Sequence, residues 1–369
     1  MKTEESFNSS SKTALEWGEK KEWSALLLFI FLAGFLANLA TLFKLETAWY
    51  LPRNLGTIVF LPLLLYVLWR QNTPKKQALI ALSILLSGTL FLNLLPGTEQ
   101  EAPFLLACLH MPVVFWSAYA YASLGNNWSS NLKRVDLLRT NGDLLLLVGL
   151  ICLGGILFSA LTVGLFKMIQ MDVAPFYFEK IAPWGLAAVP VLALFLLQHN
   201  KTLVQKISPL IATLFTPFAL LTLLLFSSTL PFASLTVFED REFLLVFDLI
   251  LLAILALILF SLSDPKKQTK KKVWLFLLFG LAIVALVDNL VVLTAIGFRL
   301  AEFGLSPNRL AVLGLNFIMF LHLGAITSAI LQTLRTKSHF ERIEVKIGQF
   351  LPFYSLWAAF VALIFPLLF

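Results

Sequence analysis

The chain has 369 residues, of which 59% are hydrophobic and only 13% charged, with a mean hydropathy of +0.86 and 34 Phe. Soluble domains carry about a quarter charged residues, so this balance excludes an ordinary water-soluble globule and describes a chain solvated by lipid. The net charge of +7 calls for no nucleic-acid partner, because the surplus cations fall in loops where anionic lipid head groups meet them.

The chain opens on a polar tail, residues 1–22, with four lysines. The first apolar stretch, 23–42, is too long for a secretory signal and lacks a small-residue cleavage pattern, so it is expected to be retained. Ten more follow at 55–69, 78–95, 102–121, 144–166, 182–197, 209–230, 243–261, 273–295, 307–334 and 351–369. Hydrocarbon offers no water to backbone amides, so each crossing is a helix or a strand of a closed barrel. Long Leu, Phe and Ala runs lack the alternation a barrel strand needs. The expected fold is an all-α polytopic transmembrane bundle of about eleven spans, one domain over residues 23–369. The stretches 55–69 and 182–197 fall short of the roughly 20 residues a crossing needs and are expected to borrow neighbours such as Trp49, Tyr50, Pro183 and Trp184.

Positively charged loops stay on the cytoplasmic side. With the N-terminus inside, only seven of the 28 Lys and Arg fall in outer loops: Lys44, Arg53, Lys167, Lys180, Arg241, Arg299 and Arg309. That asymmetry predicts a cytoplasmic N-terminus and an outer C-terminus. Most tryptophans lie near span ends, as an aromatic belt requires, with Trp116 the deep exception. Cys108 and Cys152 both lie within spans and read as packing residues rather than a disulfide or metal site. In the fifth span Gly155, Ser159, Ala160 and Gly164 have the spacing that lets helices approach closely. Residues 130–139 carry Leu132, Val135 and Leu138 at helical spacing among Lys133, Arg134 and Arg139, which predicts a short helix on the inner surface.

An ionisable group in hydrocarbon is costly unless paired, solvated or neutral, which makes such residues functional candidates. Four lie inside spans: His110, Asp248, Asp288 and His322. At about 1.5 Å per residue, His110 lies ~12 Å, Asp248 ~8 Å and Asp288 ~10 Å below the outer span ends, and His322 ~22 Å along its span. The four are expected to share one cavity opening outward. At its mouth Arg241, Arg299 and Arg309 have the chemistry to grip a phosphate or carboxylate, with the His and Asp groups exchanging a proton below. The structural alternative is local pairing of Arg241 with Glu242 and Arg299 with Glu302, and separate hydrogen bonds for each buried group. Gly304, Ser306 and Pro307 suit a helix end, a cap and a first turn, so residues 304–309 read as a built corner.

The chain carries the short motifs Leu109-His110-Met111-Pro112 with Trp116, Asp136-Leu137-Leu138-Arg139-Thr140-Asn141-Gly142-Asp143, Phe215-Thr216-Pro217, Arg241-Glu242-Phe243-Leu244, and Phe303-Gly304-Leu305-Ser306-Pro307-Asn308-Arg309. In these it resembles the bacterial membrane proteins grouped as domain-of-unknown-function family 4153. The resemblance covers most of the chain and implies a multi-pass protein of the bacterial cytoplasmic membrane. It carries no site residues across.

No phosphate loop, HExxH zinc pair, nucleophile elbow or aspartate cluster is present, so no motif fixes a reaction and no cofactor or metal is called for. The favoured expectation is a transporter or lipid-handling permease taking an anionic or lipid-like substrate, with anionic lipid head groups at the inner face. The alternative is a non-catalytic accessory protein supporting a partner complex, with its polar groups individually paired and a small-residue face toward the partner. An intramembrane enzyme ranks last.

Overall fold

A computed structural model describes residues 19–98, 100–168, 170–199, 201–229, 241–262, 272–336 and 340–369, with the side chains of 201–213 and 241–243 outside the described set. Every regular element among these residues is helical. In chain order they are α1 Lys20–Ala37, α2 Leu39–Leu42, α3 Thr47–Arg70, α4 Lys75–Leu94, α5 Ala102–Leu124, α6 Asn131–Met168, α7 Ala174–Phe176, α8 Ala182–His199, α9 Lys201–Thr229, α10 Arg241–Leu262, α11 Lys272–Phe303, α12 Pro307–Thr336 and α13 Glu341–Leu368.

Among the described residues, nine helical runs are long and apolar enough to cross a bilayer: α3, α4, α5 with its short continuation, α6, the run Ala174–His199, Leu244–Leu262 of α10, α11, α12 and α13. The chain is therefore a multi-pass membrane protein in its architecture. The other two expected spans are helical as well. The first forms α1, which ends where Asn38 donates its side-chain amide to the Gly34 carbonyl at 2.8 Å, followed by α2. The seventh lies in α9, whose apolar described part is Leu214–Thr229.

The short stretches lengthen as expected. The helix α3 starts at Thr47 and takes in Trp49 and Tyr50, and α8 is preceded by α7 and a π-helical turn, Tyr177–Ile181. The expected surface helix over 130–139 is not separate, because it runs unbroken into α6, 38 residues long. No proline interrupts the join, and Arg139 fastens this part of the helix to Asp136 on its own turn and to Glu344 of α13. Along the small-residue stripe, a Cβ placed at Gly155 or Gly164 would meet no described atom within 4 Å, although Ser159 between them lies 2.9 Å from the Tyr177 hydroxyl.

Apolar side chains gather into two helix groups. Leu26 and Phe29 of α1, Tyr66 and Val67 of α3 and Leu194 and Phe195 of α8 share one core, which continues through α3 into α4 and α5 around Leu85, Met111 and Phe115. The second core, around Leu251, Leu281, Ala285, Met319 and Leu323, belongs to α9, α10, α11 and α12. The last helix, α13, stands between them: Val361 and Phe365 pack with Leu106 of α5 and Ala311 of α12, while Ile343 and Ile347 enter the second core.

Candidate functional site

A polar layer interrupts the second core. On α11 the apolar run between Ala285 and Val292 is broken by Asp288 and Asn289, both without exposed surface. Asn289 Nδ2 donates to Asn316 Oδ1 on α12 at 2.7 Å, and Asn316 Nδ2 donates to Asp248 Oδ1 on α10 at 3.0 Å and to its own helix at Val312 O. An ionised carboxylate only accepts, so Asp248 turns the Asn316 nitrogen toward α10 and its oxygen toward α11, which in turn fixes Asn289. The order ends on Asn289 Oδ1, buried and without a hydrogen-bond partner among the described residues. On the other side of α11, Ser227 Oγ of α9 lies 2.9 and 2.8 Å from the two carboxyl oxygens of Asp288. Four helices thus meet through two carboxyl groups, two amides and a hydroxyl.

The two histidines stand apart from this layer. His322 of α12 is fully buried, its Nδ1 3.1 Å from the Tyr354 hydroxyl of α13 and its ring stacked on Phe350 at 4.6 Å and 3°. Its Nε2 has no partner among the described residues. His110 of α5 is half-buried, and its Nδ1 lies 2.9 Å from the Leu106 carbonyl one turn earlier, which makes that nitrogen the N–H. The structure therefore links Asp248 to Asn289 through Asn316, holds the adjacent Asp288 on Ser227 with no hydrogen bond between the two acids among the described residues, seats His322 against α13, and leaves His110 bonded to its own helix. Two surface pockets lie elsewhere, one lined by Gln332, Arg342 and Lys346 where α12 meets α13, the other beside Thr47, Leu51 and Leu55 of α3.

Of the three arginines expected at the mouth, Arg241 begins α10 but its side chain lies outside the described residues. Arg299 is half-buried near the end of α11 and does not pair with Glu302. Arg309 donates to the Phe303 and Gly304 carbonyls at 2.9 and 2.7 Å and holds its guanidinium 5.5 Å from the Phe303 ring. It caps the free carbonyls of α11. Gly304 is left-handed at φ 74° and Ser306 Oγ accepts from the Arg309 amide at 3.3 Å, so the corner is built as its sequence indicates.

Among the described residues no three His, Cys, Asp or Glu side chains converge as a metal site requires. Asn316, Ser227 and Tyr354 escaped the sequence reading, which searched for ionisable groups. An amide within an otherwise apolar helix is the signal that points to Asn316. No family model, curated protein or solved structure matches this chain, so the site stands on its geometry.

Proposed function

We propose that this chain is an eleven-span protein of the bacterial cytoplasmic membrane, N-terminus inside and C-terminus outside, working as a transporter or lipid-handling permease. Its polar centre is the layer shared by α9, α10, α11 and α12. The observation that carries this reading is that layer: two carboxyl groups, one of them fully buried, and an amide oxygen without a partner among the described residues, in the middle of apolar helices, where polar groups are retained chiefly for ion or substrate pathways. His110, His322, Arg241, Arg299 and Arg309 complete the candidate set, with an anionic or lipid-like substrate gripped at the arginines and anionic head groups at the inner face. Kinship with the family named above belongs to this proposal.

Tethers between helices support the alternating topology. Glu22, Arg70 and His199 all fall on the inner side by alternation, where Glu22 contacts both of the others, and Arg139 meets Glu344 on the same side. At the other end of α1 the Tyr50 hydroxyl donates to the Leu36 carbonyl at 2.7 Å. Glu22 and Leu36 are ~21 Å apart along a helix, so α1 runs antiparallel to α3 over most of a bilayer. Likewise α9 lies along α10, with Thr216 Oγ 3.2 Å from Ser261 Oγ and the Phe226 and Phe247 rings 4.9 Å apart.

The test is native mass spectrometry of the purified chain. A retained anionic metabolite or lipid that Asn316→Leu or Arg309→Ala releases supports the reading. An empty protein, or one whose bound lipid is indifferent to both substitutions, overturns it.

A second reading has its own observation. The stripe at Gly155 and Gly164 on α6 is open, and His110 and His322 are each bonded separately, as an accessory protein that docks a partner through small residues requires. Cross-linking from Gly155→Cys in intact membranes tests it: a discrete adduct abolished by Gly164→Leu supports docking, and reaction with lipid probes alone opposes it.

A further inference from the structure

Ser227 Oγ sits among three oxygens: the Leu223 carbonyl at 2.7 Å and the two Asp288 carboxyl oxygens at 2.9 and 2.8 Å. A hydroxyl has one hydrogen to donate. A carbonyl and an ionised carboxylate both only accept, so with Asp288 ionised one of them faces the hydroxyl oxygen lone pair to lone pair. A proton on Asp288 removes the conflict. The acid then donates to Ser227 Oγ, and Ser227 donates to Leu223.

The surroundings agree with that count. Asp288 has no exposed surface, and its helix neighbours Ala285 and Val292 belong to the apolar core. It makes no ion pair with any described Lys or Arg. The packed helices also carry Asp248 of α10, joined to Asn289 through Asn316, His322 of α12, turned to Tyr354 of α13, and Lys272, Arg299, Glu302, Arg309 and Arg335, while the side chains of Lys201, Lys206, Arg241 and Glu242 lie outside the described set. Among the described residues none of these brings positive charge to Asp288 by a hydrogen bond or ion pair. Ser227 is the α9 side chain that holds both Asp288 oxygens, so displacing α9 from α11 parts the hydroxyl from the acid.

We propose that Asp288 is an intramembrane proton site: a neutral carboxylic acid while Ser227 seats it, which gives its proton to water when α9 moves and the layer is wetted. The proposal deepens the permease reading and rests on it for a role, since this proton is the one a coupled carrier would move. Its chemistry is measurable without transport.

Infrared spectroscopy of the full chain in a maltoside detergent, which has no ester carbonyl, reads the carboxylic-acid C=O band directly. At neutral pH the wild type is expected to show that band, Asp288→Asn to lose it, Asp248→Asn to keep it, and Ser227→Ala to move it to higher wavenumber as the acid loses its acceptor. Asp288→Asn should fold, because its amide N–H can donate to Ser227 as the acid does. Should it fail to fold, the Ser227→Ala shift alone decides. A spectrum unchanged by Asp288→Asn or by Ser227→Ala overturns the proposal, and so does a band that sodium abolishes at constant pH, which would make the site one for a metal cation. A band that behaves as expected in a protein that retains no substrate removes the permease role and leaves the proton site. Substrate retention without the band does the reverse.

Discussion

His199 offers both ring nitrogens to acceptors, Nδ1 at 2.8 Å from the Phe195 carbonyl and Nε2 at 2.9 Å from the Glu22 carboxylate. A neutral imidazole has one N–H, so only the imidazolium serves both bonds. Glu22 also accepts from Arg70 at 2.8 Å, and one carboxylate therefore ties α1 to α3 and α8.

Glu22 is the group whose loss would free all three helix ends. The Glu19 backbone N–H, then His199, hold its carboxyl below the usual range. A carboxyl lowered in the folded state contributes stability above its unfolded pKa and loses it as pH falls through the folded one. In detergent, the wild-type melting temperature should fall more steeply below about pH 4 than that of Glu22→Gln. At pH 7, Glu22→Gln should cost about 1 kcal/mol, the scale of a partly exposed ion pair. Parallel melting curves across this range would remove the clamp.

The contact between Arg139 and Glu344 is more sheltered, with 21% and 9% of the side chains exposed, and it fixes α6 to α13. Removing one partner of a buried pair leaves an uncompensated charge. Arg139→Met, which strands the Glu344 carboxylate, should cost roughly 3 kcal/mol, whereas Glu344→Ala leaves Arg139 on Asp136 and should cost less; Arg139→Met with Glu344→Leu should cost less than the sum of the singles. A double-mutant cycle in chemical unfolding measures this coupling, and additive losses would refute it.

Much of the architecture was legible because a bilayer leaves few choices. Apolar length alone marked the stretch that became α11. Gly304, Ser306 and Pro307 announced their corner because a left-handed turn, a cap and a first turn each demand a residue type. The stripe at Gly155 and Gly164 shows the limit of spacing as a signal, since small residues report that something can approach and not what does. Asp248 and Asp288 stood out by charge, but the amides that carry Asp248 to Asn289, beside Asp288, depend on the rotation of α11 against α12. That register is a packing outcome, invisible in either helix alone.

Gly314 lies under the indole of Trp357, whose Nε1 donates to Ala311 O at 3.1 Å, and a Cβ on Gly314 would run into the ring. Gly314→Leu should destabilise by about 1–3 kcal/mol through overpacking. Trp357→Leu in the same chain should recover part of that loss. The melting temperatures of both variants check the pairing, and no recovery would locate the strain elsewhere.

Arg53 is 4% exposed near the end of α3 that meets the α4–α5 connection. It donates to the Trp49 and Gly97 carbonyls at 3.0 and 2.9 Å and lies 4.3 Å from the Phe104 ring centroid. A lysine has neither the fork nor the flat face, so Arg53→Lys should cost about 2 kcal/mol although the charge is kept. A melting temperature equal to the wild type would show that charge alone suffices there.

Asn316 is the one side chain that serves both Asp248 and Asn289, so it decides whether the polar layer acts as a unit. Asn316→Leu strands the Asn289 amide nitrogen in an apolar core and removes a donor from Asp248. Each lost bond to a buried polar group costs about 1–3 kcal/mol. If the layer is a single unit, Asn289→Leu added to Asn316→Leu should cost little more, because no buried amide is then left unpartnered. A double substitution near the stability of Asn316→Leu alone, or above it, would establish the coupling. Full additivity in chemical unfolding would instead make the two amides independent neighbours that only happen to touch.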